Sequence, residues 1–198
     1  FVVGAGVARD DAFAETVALA ERHEAAVFVA PLAARNGFPE DHRLFHGFFP
    51  AFREAIVDGL KGHDLVLVLG APAFTYHAEG FGPHVPDGAR LIQLVDDPMM
   101  ASTTATGLSI ITSLKPALAE LLEAPAPQRA PLAVAPRAAI TPPVPFGADY
   151  ALQTLARLRP SGSVIVEEAP SHRAAMHDHL PITQADGFYT TASGGLGH

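Results

Sequence analysis

Cysteine is missing altogether from these 198 residues. That excludes disulfides, thiolate zinc sites and a cysteine nucleophile, and it fits a reducing compartment. No signal or transit peptide occurs, nor any run of ~20 apolar residues, so nothing argues for export or membrane insertion and a cytoplasmic origin is the expectation. Basic residues are also few. Thirteen Lys and Arg against 21 Asp and Glu leave a formal charge of −8, with no stripe of basic and aromatic residues, which argues against a nucleic-acid partner. Acidity of this kind serves solubility and names no partner. No nucleophile elbow, P-loop or kinase motif is found, and no HExxH or HxxEH pair.

What is present is 48% apolar residues, enough to bury one core and part of another. Their spacing alternates strands with helices. Strands are expected at Phe1 to Gly4, Ala25 to Ala30, Asp64 to Gly70, Arg90 to Asp96 and Leu108 to Ile111. The near-continuous run Leu65-Val-Leu-Val-Leu69 is the pattern of a parallel strand covered on both faces. Between them lie a helix over Asp11 to His23 with Phe13, Val17 and Ala20 on one face, a second on Phe52, Ile56, Val57 and Leu60, and a third on Leu114, Leu118, Leu121 and Leu122. The aromatic and proline-rich stretch from Phe38 to Pro50 is expected to be a loop. Strands alternating with helices imply right-handed crossovers, hence an α/β fold with an open, Rossmann-like parallel sheet over residues 1–124.

From Ala124 to Pro145 prolines recur so often that donors are lost and φ is held near −65°, so residues 125–145 are expected to form an extended, semi-rigid linker. Beyond it, residues 146–198 read as the truncated start of a second α/β domain. Asp149 is expected to cap a helix bearing Leu152, Leu155 and Leu158, followed by a strand over Ser163 to Glu167 and the glycine-rich close Ser193-Gly-Gly-Leu-Gly-His198.

Several features tempt a functional reading and receive a structural one. Gly4-Ala-Gly6 opens like a dinucleotide-binding turn, but Arg9 stands at the place of the third glycine, and the expectation is a strand-to-helix turn without ligand. His172, His177 and His179 crowd together without a metal-ligand pattern, and a solvated or interface role is expected for them, as for His42, His46, His77 and His84. Asp96-Asp97-Pro98 is expected to be a capped turn. Glu167 and Glu168 should point to opposite sides of their strand and so are not a paired acid and base.

Four stretches carry a family resemblance: Gly70-Ala-Pro-Ala-Phe-Thr-Tyr-His77; Arg90-Leu-Ile-Gln-Leu-Val-Asp-Asp-Pro98; Ala30-Pro31 with Phe38-Pro39 and Phe45-His46-Gly47; and Tyr189 to Gly197. In these the chain resembles thiamine-diphosphate-dependent decarboxylases, most closely the benzoylformate branch. The resemblance implies a middle domain followed by the opening of a cofactor-binding domain, so that residues 1–198 alone are expected to be inactive and to bind no cofactor. It implies a lyase that releases CO₂ and an aldehyde from a 2-oxo acid, using thiamine diphosphate and Mg²⁺, in a homo-oligomer (dimer or tetramer). By the same resemblance Pro170 and Ser171 lie beside the diphosphate, and Gly194 and Leu196 approach the cofactor rings; no catalytic residue and no metal ligand falls within the chain. Two departures stand out: Gly147 replaces a pocket histidine and Thr190 replaces a pocket aromatic. The competing readings are a different thiamine-dependent C–C lyase or ligase, of the acetolactate synthase or oxalyl-CoA decarboxylase type, and a non-catalytic nucleotide-binding Rossmann module.

Overall fold

The computed structural model describes residues 1–134 and 146–191. In chain order the first part contains β1 (Val2–Val3), α1 (Ala5–Arg9), α2 (Phe13–His23), β2 (Val27–Val29), β3 (Phe45–Phe48), α3 (Arg53–Gly59), β4 (Leu65–Leu69), β5 (Arg90–Val95), α4 (Pro98–Ser102), β6 (Leu108–Ile111) and α5 (Leu114–Glu123). The six strands are all parallel, in the order β3-β2-β1-β4-β5-β6. This is the doubly wound α/β arrangement the alternating pattern predicts.

Successive residues of the central strands face opposite cores, as a period of two requires. Val3, Leu67 and Leu69 meet Leu19 of α2 and Leu114 and Leu118 of α5 on one face. Val2, Val66 and Val68 meet Ile56 of α3 and Leu60 on the other. Burying such side chains contributes ~1.5–3 kcal/mol each, which is why the strands in the middle of the sheet carry no buried polar side chain except Gln93. Gln93 is bonded on every side: its amide donates to the Ala71 carbonyl at 2.8 Å, and its Oε1 accepts from Thr104 and Ser109, each at 2.7 Å.

Two expectations shift. In α2 the buried positions are Thr16, Leu19 and Ala20, while Phe13 and Val17 are only half-buried. Thr16 can turn inward because its hydroxyl donates to the Ala12 carbonyl at 2.7 Å, leaving no unsatisfied polar group. The aromatic stretch is not all loop either: Phe45–Phe48 adds an edge strand parallel to β2. Its Phe-His-Gly-Phe sequence shows no alternation, Gly47 has φ 124°, and the register slips at Val27/Phe28, so the strand is held by pairing rather than by pattern.

Residues 124–134 form no helix or strand, in keeping with their prolines. They are nonetheless pinned. Glu24 receives two bonds from the Arg43 guanidinium and accepts from the Leu132 N–H at 3.0 Å, while Leu132 itself packs on the first core. The rest of the expected linker, 135–145, lies outside the described residues.

The second part holds α6 (Ala148–Leu158), β7 (Ile165–Glu167), a single 3₁₀ turn (Pro170–His172), α7 (Arg173–His179) and β8 (Phe188–Thr190), with β7 and β8 parallel. Met176, Leu180, Ile182 and Phe188 form its core, with Leu152 packed against them. Asp149 does not cap α6: Gly147 is the N-cap, and Asp149 sits in the first turn, where the helix dipole still favours a carboxylate. Leu155 and Leu158 are exposed at 50% and 76%, so only Leu152 of the expected apolar side turns inward.

Candidate cofactor-binding site

Two of the four sequence-predicted site residues lie just past the end of β7. Pro170 and Ser171 occupy the 3₁₀ turn that begins three residues beyond the last residue of β7, and Ser171 is exposed. Ligands of open parallel sheets bind beyond the carboxyl ends of strands, so this edge is the appropriate one for a diphosphate. A hydroxyl and the N–H groups of a tight turn suit phosphate oxygens. Gly194 and Leu196 lie outside the described residues.

Beneath that edge is a buried polar network that sequence reasoning missed. Glu167, Arg173 and Thr190 are 4%, 7% and 6% exposed. Arg173 Nε donates to Glu167 Oε2 at 2.8 Å, its Nη2 donates to Thr190 Oγ1 at 2.9 Å, and the Thr190 hydroxyl donates to Glu167 Oε2 at 2.8 Å. The Ala169 N–H closes the turn onto Glu167 Oε1 at 2.5 Å. Burial pushes the Glu167 carboxyl up, but the Thr190 hydroxyl, Arg173 and the Ala169 N–H outweigh it and hold the group below its ordinary value of 4.5. β7 stops at Glu167, so Glu168 is not its alternating strand neighbour as the sequence suggested; it is exposed while Glu167 is buried.

A second buried pair joins this part to the six-stranded sheet. Glu40, 1% exposed, receives His177 Nδ1 at 2.5 Å and the Ile182 N–H at 2.9 Å, and the Glu40 N–H donates to the Ile182 carbonyl at 2.8 Å. The His177 ring stacks on Phe48 with centroids 4.7 Å apart and meets Phe188 edge-on. Asn36 donates to the Ile182 carbonyl at 3.1 Å, the Thr190 N–H donates to the Ala34 carbonyl at 3.1 Å, and the Arg35 guanidinium lies over the Tyr189 ring at 4.8 Å. His177 is thus an interface histidine, and β3 earns its place by presenting Phe48 to it. The only available signal was a lone Glu in an aromatic loop; its partner lies 137 residues away, beyond any local pattern.

The glycine-rich turn after β1 shows why its residues are glycines. A Cβ on Gly6 would stand 2.5 Å from the Gly70 Cα, and one on Gly4 would stand 2.6 Å from the Ala71 Cβ. The Gly4 and Gly6 N–H groups donate to the Leu69 and Gly70 carbonyls, both at 2.9 Å, so neither is free for phosphate. Arg9, 3.6 Å from Asp96, helps line a cleft of about 390 Å³ together with Ala30, Pro31, Ala71 and Pro72. Asp97 caps α4, accepting from the Met99 N–H at 2.8 Å, as the turn reading expects. Among the described residues no three His, Asp or Glu side chains are grouped to hold a metal ion, and no helix is long and apolar enough to cross a membrane.

Residues 1–121 match the family described as thiamine pyrophosphate enzyme, central domain. The benzoylformate decarboxylase of Pseudomonas aeruginosa is 33% identical over 202 residues, covering 99% of this chain and 38% of that protein. The crystal structure of benzoylformate decarboxylase from Polynucleobacter necessarius superposes with a TM-score of 0.90 at 37% identity over 99% of this chain and 38% of that one. The 4-hydroxybenzoylformate decarboxylase of Rhodococcus jostii, thiamine diphosphate-dependent, does so with a TM-score of 0.89 at 31% identity, covering 98% of this chain and 38% of its own. The chain therefore spans well under half the length of these relatives. With a family match across the whole six-stranded parallel sheet, the chain belongs to the thiamine pyrophosphate enzyme central-domain family.

Proposed function

We propose that residues 1–198 are part of a cytoplasmic, thiamine-diphosphate-dependent 2-oxo acid decarboxylase of the benzoylformate decarboxylase kind, a carbon-carbon lyase working as a homo-oligomer with Mg²⁺. Residues 1–124 are its central domain, 125–145 the linker and 146–198 the opening of the domain that takes the diphosphate. The observation that carries this reading is that similarity to benzoylformate decarboxylases runs over 99% of the chain, through both sheets, and not only through the central domain.

The described residues fit such a cofactor at its diphosphate end. The exposed Ser171 hydroxyl and the turn beginning at Pro170 offer hydrogen-bond donors, and Glu167 fixes the start of that turn through the Ala169 N–H. Thiamine diphosphate, when bound, supplies the electron sink that lets a 2-oxo acid lose CO₂. The chain's own part is to hold the diphosphate at the end of β7 and, through Gly194 and Leu196, to let backbone and an apolar side chain approach the rings. Gly147 carries no side chain to move a proton, so that task falls to another group or to water. Thr190 in place of an aromatic removes apolar area on the order of 100 Å² and commits the position to hydrogen bonds with Glu167 and Arg173, which weakens packing against a phenyl ring.

Steady-state kinetics on the full-length protein test this. CO₂ release dependent on thiamine diphosphate and Mg²⁺ is expected, with a reduced preference for benzoylformate over aliphatic 2-oxo acids. No turnover of any 2-oxo acid refutes the activity, and a kcat/KM for benzoylformate far above every aliphatic substrate refutes the pocket argument. Residues 1–198 alone are expected to bind the cofactor weakly or not at all; micromolar binding by calorimetry would contradict the assignment of the remaining cofactor contacts to chain outside them.

A further inference from the structure

The turn that carries the proposed diphosphate contacts, Pro170–Ser171, follows the end of β7, which pairs with β8. β7 and β8 are only three residues long, and their last residues, Glu167 and Thr190, are partners in register. Strands so short have little to keep their ends from splaying. The Glu167–Arg173–Thr190 network supplies it: one carboxylate gathers the Arg173 Nε, the Thr190 hydroxyl and the Ala169 N–H, while the guanidinium also reaches Thr190. The third member, Arg173, opens α7 directly after the turn that bears Ser171, so all three corners of the site edge are tied to one point.

We propose that Arg173, acting with Glu167 and Thr190, is a positioning residue for the diphosphate end of the cofactor, clamping the Pro170–Ser171 turn against the paired ends of β7 and β8. This rests on the reading of residues 146–198 as part of a thiamine-diphosphate site. Arg173 and Glu167 are buried and occupied with one another and with Thr190, so these two act through the turn and not by touching the ligand. A buried ion pair is a poor source of stability compared with apolar packing of the same volume, whereas its fixed fork geometry sets a strand-end separation that apolar contacts would leave loose.

The test is cofactor binding by calorimetry, with saturating Mg²⁺, in the full-length protein and its variants. Arg173→Met is expected to raise the Kd for thiamine diphosphate about tenfold or more, as misplacement of a positioning group by a fraction of an ångström does. In Arg173→Met the loss should appear in cofactor affinity ahead of the KM for the 2-oxo acid, because the Arg173 side chain is buried against Glu167 and Thr190 and its effect runs through the turn. Thr190→Val keeps the volume and removes the hydroxyl, and an increase of several-fold is expected there even if Arg173→Met does not fold. Arg173→Lys should restore only part of the affinity, since an ammonium lacks the fork. A lowered Tm with an unchanged Kd in both Arg173→Met and Thr190→Val makes the network merely structural and overturns the clamp. Wild-type protein that binds and turns over while the variants match it overturns the clamp alone; wild-type protein that binds no thiamine diphosphate overturns the clamp and the functional reading together.

Discussion

Replacing His177 by alanine tests what joins the two sheets. The imidazole is 2% exposed, donates to a Glu40 carboxylate that is itself 1% exposed, and lies flat on Phe48. Its removal leaves Glu40 with the Ile182 N–H but without its ring partner, and leaves a gap between Phe48 and Phe188. Breaking a buried pair from one side costs ~3–5 kcal/mol, and the lost ring contact adds ~1 kcal/mol. Total stabilities of 5–15 kcal/mol are usual, so ~4 kcal/mol suffices to undock residues 146–191 before the six-stranded sheet melts. Glu40→Gln keeps an acceptor of the same shape and should cost only ~1–2 kcal/mol. The double variant should then show a coupling of ~1 kcal/mol, because once the ring is gone Glu40→Gln has no shared contact left to weaken. Urea unfolding of residues 1–198 gives the energies, and hydrogen exchange at the Ile182 amide reports the docking directly. A His177→Ala cost below ~1 kcal/mol with Ile182 still protected would show that the ring and the carboxylate do not hold the interface.

The bonds to Glu167 favour its ionised form, so the stability they contribute is complete above pH 4.5 and lost as pH falls through the lower folded value; the gap between wild type and Glu167→Gln in pH-dependent Tm measurements should narrow in acid, and a constant gap contradicts the assignment. Gly6→Ala drives a Cβ into the Gly70 backbone and should cost ~2–3 kcal/mol in denaturant unfolding; an unchanged midpoint would mean the two turns can part freely. The Glu24 carboxyl is pulled down to about 2 by the Arg43 guanidinium and the Leu132 N–H, and Glu24→Ala should free the stretch around Leu132, speeding tryptic cleavage after Arg129 several-fold; equal rates would show that Leu132 is held by packing alone. No nucleotide should co-purify, since the Gly4 and Gly6 amides are already bonded to Leu69 and Gly70; stoichiometric flavin or adenine nucleotide would overturn this.

Local pattern alone determined the strands that are buried on both faces and the helices with one apolar side. Leu65–Leu69 and Arg90–Val95 stand where the apolar runs put them, because a parallel strand between two helical layers is largely apolar, and Leu108–Ile111 does so too as an exposed edge strand. Motif content also determined the family, through the words around Gly70, Asp96 and Tyr189. Only the tertiary structure decided what pairing and distant contact decide: that Phe45–Phe48 is a strand, that Thr16 faces the core, and that Leu132 is pinned to Glu24. The same holds for the polar groups that frame the candidate site. A buried Glu40 or Arg173 looks like any surface charge in the sequence, since burial of a charge depends on a partner that folding brings to it, 137 residues away for Glu40 and on the two neighbouring strand ends for Arg173.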